Sequence, residues 1–270
     1  MKKTLLITGG SSGIGKATAT LFADNAWNVF ELSRHGQDFT TDKGNAVHHI
    51  DCDVTVEADC QRAVSEVIDK AGMINVLISN AGMGISGSVE FTEIEEARRQ
   101  MDVNFMGAFL IAKTCIPYMR KAREQSNADC RIIFVSSIAS VFAIPFQAFY
   151  SASKFAINGM ALALQNELRP FGIKVCCLLP GDVKTGFTSA RKKSIAGGEI
   201  YKNMDKAIAS MEKDEINGIT PERMAKKLLS MAKASHPQTY NTVGLQYHLF
   251  LILNRFLPTT LVNYILGKMY

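Results

Sequence analysis

The stretch Thr4-Leu5-Leu6-Ile7-Thr8-Gly9-Gly10-Ser11-Ser12-Gly13-Ile14-Gly15 decides the fold. A short apolar run passes straight into glycines and then into a helical pattern over 15–25. Such a run reads as a first strand. Glycines permit the tight turn and let backbone amides approach a pyrophosphate, while the N-terminus of the next helix favours negative charge. A glycine-rich stretch alone also serves as a plain turn. Its place between strand one and helix one is the context that dinucleotide binding requires, so Gly9, Ser11, Ser12, Gly13, Ile14 and Gly15 are the candidate phosphate cradle.

Outward from this loop, short apolar runs alternate with longer helical patterns. Strands are expected over 27–32, 46–50, 75–79, 131–136, 173–179 and 239–243, helices over 57–71, 92–123, 152–171 and 221–234. The strand runs are almost continuous in Val, Ile, Leu and Phe, as strands buried on both faces should be. Thr220 before Pro221 supplies a capping residue and a proline at the first helical position. Such alternation implies an α/β fold: a doubly wound sheet of seven parallel strands with helices on both faces. Residues 34–45 are polar and lack helical periodicity, so the crossover helix there should be short or absent. No linker-like segment divides the chain, and residues 1–270 read as a single domain.

Composition agrees with a soluble globular protein, at 47% hydrophobic and 20% charged residues over 270 positions. The N-terminal apolar run is too short for a secretion signal. Six cysteines form no Cys-x-x-Cys pair and no histidines sit at ligand spacing, so no metal site and a reducing cytoplasm are expected. Charge is uneven. Residues 1–183 hold 17 basic against 19 acidic side chains, and residues 184–270 hold 13 against 6. The basic C-terminal part reads as a solvated helical surface or as an attraction for anionic substrates or an anionic membrane. Nucleic acid is not an expected partner.

Two further positions carry chemistry. Tyr150 and Lys154 are four apart, so on a helix they share a face. A phenol ionises near pH 10 in water, and a neighbouring ammonium brings it towards neutrality, where proton transfer is efficient. A core-facing tyrosine beside a solvated lysine has the same spacing. At the end of the second strand, an Asp or Glu would accept hydrogen bonds from the 2′-hydroxyl of NAD. Ser33 and Arg34 stand there instead, and a guanidinium suits a 2′-phosphate, which points to NADP(H). Nearby Glu31 is expected to turn away by strand alternation.

Joined with Asp53-Val54, Asn80-Ala81-Gly82, Asn104, Ser137 and Pro180-Gly181 followed by Thr185, these residues resemble the short-chain dehydrogenase/reductase family over about residues 4–245. The resemblance implies a Rossmann fold and a chemistry. Asp53 and Val54 would hold the adenine, Asn80, Ala81 and Gly82 would pack beside the adenosine ribose, and Pro180 and Gly181 would flank the nicotinamide. Val183 and Thr185 would contact its carboxamide. Residue 79 is Ser, where many members carry a second Asn. Tyr150 would be the proton donor in reduction and the base in oxidation, with Lys154 lowering its pKa and holding the nicotinamide ribose. Ser137, thirteen residues before Tyr150, would bond the substrate oxygen, with Ser136 the competing serine. Asn104 would hold a water linking Lys154 to solvent, or brace a helix.

Around Tyr150 the sequence is apolar. Residues 141–146, Phe149, Met83, Ile85 and Phe187 suggest a pocket for an apolar carbonyl, or a core beneath a loop. Residues 186–218 fall where the family places its mobile substrate lid. Residues 244–270 form an apolar extension. Asn254, Arg255 and Pro258 interrupt it, so it should not span a bilayer. It should instead pack on its own or a partner subunit, cover the substrate site, or lie peripherally on a membrane. The expected activity is NADPH-dependent reduction of a ketone or aldehyde on a steroid, retinoid or long-chain keto-lipid, by a homodimer or homotetramer. An NAD-linked alcohol dehydrogenase and a non-catalytic dinucleotide-binding scaffold are the alternatives.

Overall fold

The computed structural model describes residues 2–194 and 196–269. Its elements run β1 (Thr4–Thr8), α1 (Gly13–Ala23), β2 (Asn28–Ser33), β3 (Phe39–Thr40), β4 (Ala46–Asp51), α2 (Glu57–Ala71), β5 (Val76–Ser79) and β6 (Ile85–Ser86). There follow α3 (Ile94–Met101), α4 (Gly107–Ser126), β7 (Arg131–Val135), α5 (Ala148–Glu167), β8 (Lys174–Leu178), α6 (Phe187–Ala190) and β9 (Lys192–Lys193). The chain ends in α7 (Met204–Ile216), α8 (Pro221–Lys233), β10 (Tyr240–Asn241), α9 (Leu245–Leu253) and α10 (Thr259–Met269).

The main sheet has the strand order β10-β8-β7-β5-β1-β2-β4-β3. Seven of these strands are parallel, as expected. An eighth is not in the sequence reading: β3 pairs antiparallel with β4, setting Phe39 opposite Val47. It occupies the polar stretch where a crossover helix is lacking, and a strand of two residues has no periodicity to betray it.

Alternation along the strands feeds two cores. Leu6, Leu77, Ile132, Phe134 and Cys177 pack with Ile111, Met119 and Ile157 on the side of α2, α4 and α5. Leu5, Ile7, Ile78, Ile133 and Cys176 pack with Phe22, Met224 and Leu228 on the side of α1 and α8. Adjacent Cys176 and Cys177 thus enter opposite cores, and all six cysteines are buried and free.

The helix expected over 92–123 is broken. After α3, residues Asp102–Met106 form one turn of π-helix before α4 resumes. Such turns add a residue without erasing the apolar pattern, and they gather at functional sites. The chain leaves β1 for one edge of the sheet and returns beyond β1 to β5. This reversal places a crevice at the carboxyl ends of β1 and β5, where open α/β sheets bind ligands.

Candidate active site

At that crevice, the ends of β1 and β5 are laced together. Thr8 Oγ1 accepts from the amides of Asn80 at 2.9 Å and Ala81 at 3.0 Å, while Asn80 Nδ2 donates to the carbonyls of Thr8 and Gly9 at 3.0 and 3.1 Å. Gly9 has φ +66°, and a Cβ there would stand 3.0 Å from Ala81 Cα. Gly13 has φ +52° and begins α1, two residues earlier than the periodicity suggests. Ser12 precedes it without a side-chain cap, so the first amides of α1 face the crevice beside Ser11, Gly13 and Ile14. The backbone cradle and helix dipole fit a pyrophosphate. Gly15 has another use: a Cβ on it would meet the Gly9 carbonyl oxygen at 2.0 Å, so it lets α1 pack under the loop.

The end of β2 departs from the sequence reading. Glu31 does not turn away from Ser33; residues two apart on a strand share a face, and Ser33 Oγ donates to Glu31 Oε1 at 3.2 Å. The Glu31 carboxylate is buried against His49 Nδ1, whose Nε2 reaches Asp51 at 3.0 Å. Burial raises the Glu31 pKa, opposed by His49. Gly36 makes room for this pair, since a Cβ there would lie 2.1 Å from Glu31 Oε1. Arg34 stays exposed at the crevice mouth. Asp53 lies close by. Burial would raise its carboxyl, but bonds from the Thr55 amide and hydroxyl at 2.9 and 2.7 Å, with Arg34 and Arg99 near, hold it below the usual range.

Helix α5 carries Tyr150 and Lys154. Burial of the phenol end raises the Tyr150 pKa, and the Ser137 hydroxyl beside it opposes that rise. Glu215 raises it further and Arg191 lowers it. The Lys154 ammonium is 5.7 Å from the Tyr150 ring centroid but donates to the Val135 carbonyl at 2.9 Å. Burial pushes its pKa down to about 8. Ser137, rather than Lys154, is the neighbour that opposes the rise of the phenol. Ser136 is buried, with its hydroxyl on the Lys154 carbonyl at 3.3 Å. Ser137 lines the crevice and accepts from the Ala139 amide at 3.1 Å. Asn104, in the π turn, is wholly buried; it accepts from the Met83 amide at 2.8 Å and donates to the Met83 carbonyl and Ser153 Oγ, each at 3.0 Å. It braces the loop after β5 against α5.

A family signature described as short chain dehydrogenase matches residues 3–196. The chain belongs to the short-chain dehydrogenase/reductase family. It is 38% identical to a 3-ketodihydrosphingosine reductase of Bacteroides thetaiotaomicron, over 98% of this chain and 97% of that protein. It is 30% identical to an NADPH-dependent 3-dehydrocapnine reductase of Ornithobacterium rhinotracheale, over 97% of this chain and 95% of the other. A short-chain dehydrogenase from Streptomyces avermitilis shares the fold at TM-score 0.80 and 22% identity, covering 94% of this chain and 92% of that one.

In this family member the named residues meet in one cleft of about 1080 Å³. Ser33, Arg34, Asp53, Val54, Asn80, Ala81, Gly82, Ser137, Tyr150, Lys154, Pro180, Gly181, Val183 and Thr185 line it with the phosphate loop; Gly15 and Asn104 stand behind it. Of the apolar residues expected in a substrate pocket, Met83, Phe142, Ile144 and Phe187 reach the cleft. Phe146 instead packs with Met204, Ile208 and Met211 beneath α7. The Phe187 ring lies 5.7 Å from that of Tyr150. Segment 186–218 is tied to the body by β6 pairing with β9 and by the ion pair of Lys192 with Glu96 on α3, and braced within itself by buried Arg191 on Glu215.

Sequence reading missed three contributors. Arg99 lines the adenosine end opposite Arg34; its spacing of four from Val103 was the available signal. Asp182 and Tyr247 form the second and third. The Tyr247 hydroxyl donates to Asp182 Oδ2 at 2.6 Å and accepts from the Asp182 amide at 3.0 Å. Burial and the Asp182 carboxylate push the Tyr247 pKa up to about 12. A Cβ on Gly181 would come within 2.1 Å of the Tyr247 ring, so this glycine seats α9 as well as lining the cleft. Through Tyr247, Phe250, Leu253, Leu257, Val262 and Ile265, the C-terminal helices wall the far end.

Proposed function

We propose that the protein reduces a ketone carried on a long apolar substrate of the keto-lipid kind, using NADP(H). One observation carries this reading: the Ser137–Tyr150 pair stands in a cleft with a phosphate cradle at one end and an apolar helical wall at the other. The relatives named for 3-ketodihydrosphingosine and 3-dehydrocapnine support the substrate class. A bound nicotinamide would supply the hydride. The protein must then hold the carbonyl and deliver a proton. Tyr150 donates that proton to the developing alkoxide and Ser137 bonds the same oxygen. Buried Lys154, brought near neutrality, can take up or release a proton behind the phenol and reach a ribose hydroxyl.

Ser33, Arg34 and Arg99 favour a 2′-phosphate at the adenosine end, because two guanidiniums converge there without an ion-pair partner among the described residues. Glu31 is the residue that would favour NAD, but its carboxylate is engaged by His49 and Ser33. Segment 186–218 serves as the substrate lid, held to the body through β9 on β6 and through Lys192 on Glu96.

Tyr150→Phe keeps the ring and removes the proton, and turnover of a long-chain 3-ketone with NADPH should fall by about 10²-fold or more. Undiminished turnover would overturn the mechanism. A KM for NADH equal to or below that for NADPH would overturn the cofactor assignment alone.

A further inference from the structure

We propose that α9 and α10 seat the protein on an anionic lipid bilayer, so that the cleft opens towards ketones dissolved in the membrane. The docking half stands on the surface alone, and the delivery half rests on the keto-lipid reading above. These two helices are apolar on both sides. One side walls the cleft. On the other, Leu245, Leu249, Ile252, Leu261 and Tyr264, with Phe256 in the turn between the helices, are exposed and do not line it, with Leu245 at 88% and Phe256 at 79% of full exposure. Isolated exposed apolar residues are ordinary, but a run of them on adjacent helices marks a binding face.

The chemistry of that face selects the partner. Residues 244–270 contain no Asp or Glu, while Arg255 and Lys268 are exposed and make no ion pair among the described residues. Cations among apolar side chains suit an anionic headgroup layer, each adding to attachment by apolar insertion. A second copy fits poorly. A two-fold interface presents the same patch twice, and residues 244–270 of a second copy bring no carboxylate to pair with these cations. No helix among the described residues is long and apolar enough to cross a membrane, so the pair lies along the surface.

Cosedimentation with vesicles of phosphatidylcholine, with and without phosphatidylglycerol, tests this on the full chain. The protein should pellet with both, and more strongly with phosphatidylglycerol present. The triple variant Leu249→Ser, Ile252→Ser, Phe256→Ser should bind roughly tenfold or more weakly, while reducing a short water-soluble ketone at the unaltered rate. Arg255→Glu with Lys268→Glu should remove the preference for phosphatidylglycerol and leave the rest of the binding. Wild-type protein that stays in the supernatant with every vesicle overturns docking. So does a triple variant that binds like wild type, or one whose only change is dissociation of a dimer. Equal turnover of a vesicle-borne ketone by wild type and triple variant overturns delivery. Vesicle binding by a wild type that reduces no apolar ketone in detergent leaves docking intact and defeats the keto-lipid reading.

Discussion

Lys154 holds an ammonium among apolar neighbours with one carbonyl as its partner, and burial lowers its pKa to about 8 from the ordinary 10.5. Between those values the unfolded chain binds more protons than the folded one, so stability rises with pH across that window. Below pH 8 the full penalty is present, amounting to about 3 kcal/mol. Lys154→Met should therefore raise the urea midpoint of the free protein at neutral pH, lose most of that gain near pH 10, and abolish turnover. A variant no more stable than wild type at neutral pH would show that the ammonium costs nothing. For Tyr150 the direction is upward, so the phenol stays protonated through neutrality in the free protein. The reductive kcat/KM should be level through neutral pH and fall as the phenol ionises, while oxidation of the product alcohol should climb with pH. Matching profiles in the two directions would exclude Tyr150 as the titrating group. At this scale, Tyr150 and Lys154 were legible from spacing and context. The choice between Ser136 and Ser137 rested on a family interval, and the side to which each hydroxyl turns is set by the tertiary structure. Glu31 was misread because two residues along a strand return to the same face.

At the scale of elements, the docking of α9 hangs on a small space. Gly181→Ala would drive a methyl into the Tyr247 ring, and the helix must lift or the loop after β8 must move. Faster hydrogen exchange in 245–253 and weaker binding of an apolar ketone are expected, with exchange in β1 and β5 unaltered. Unchanged exchange in α9 would mean that the loop yields instead. The seven parallel strands were legible because burial on both faces demands unbroken apolar runs. The π turn was hidden because it adds one residue inside a stretch that stays helical on both sides of it. The edge strand β3 was too short to carry a period. Helix α7, within the weakly patterned stretch 186–218, shows itself only through the residues packed beneath it.

On the whole-molecule scale, one cleft joins β2, the phosphate loop, α5 and the C-terminal helices. A ligand bound there should stabilise the entire chain. On the NADP(H) assignment, NADP⁺ at a hundred times its Kd should add about 2.7 kcal/mol to unfolding. NAD⁺ at equal concentration should add less, and Arg34→Ala with Arg99→Ala should bring the two thermal shifts together. Equal shifts in wild type would count against the 2′-phosphate assignment.

By itself the sequence determined the parallel strands and the residues at their carboxyl ends. Those follow from local patterns: apolar runs that must be buried, glycines that must turn, and a helix start that leaves amides free. The tertiary structure alone decided that Tyr247 closes on Asp182, 65 residues away, that Glu31 is taken up by His49, and that the apolar tail walls the cleft. Each is a contact between segments distant in sequence. Its stability depends on the shape of the space between them, which no single segment encodes.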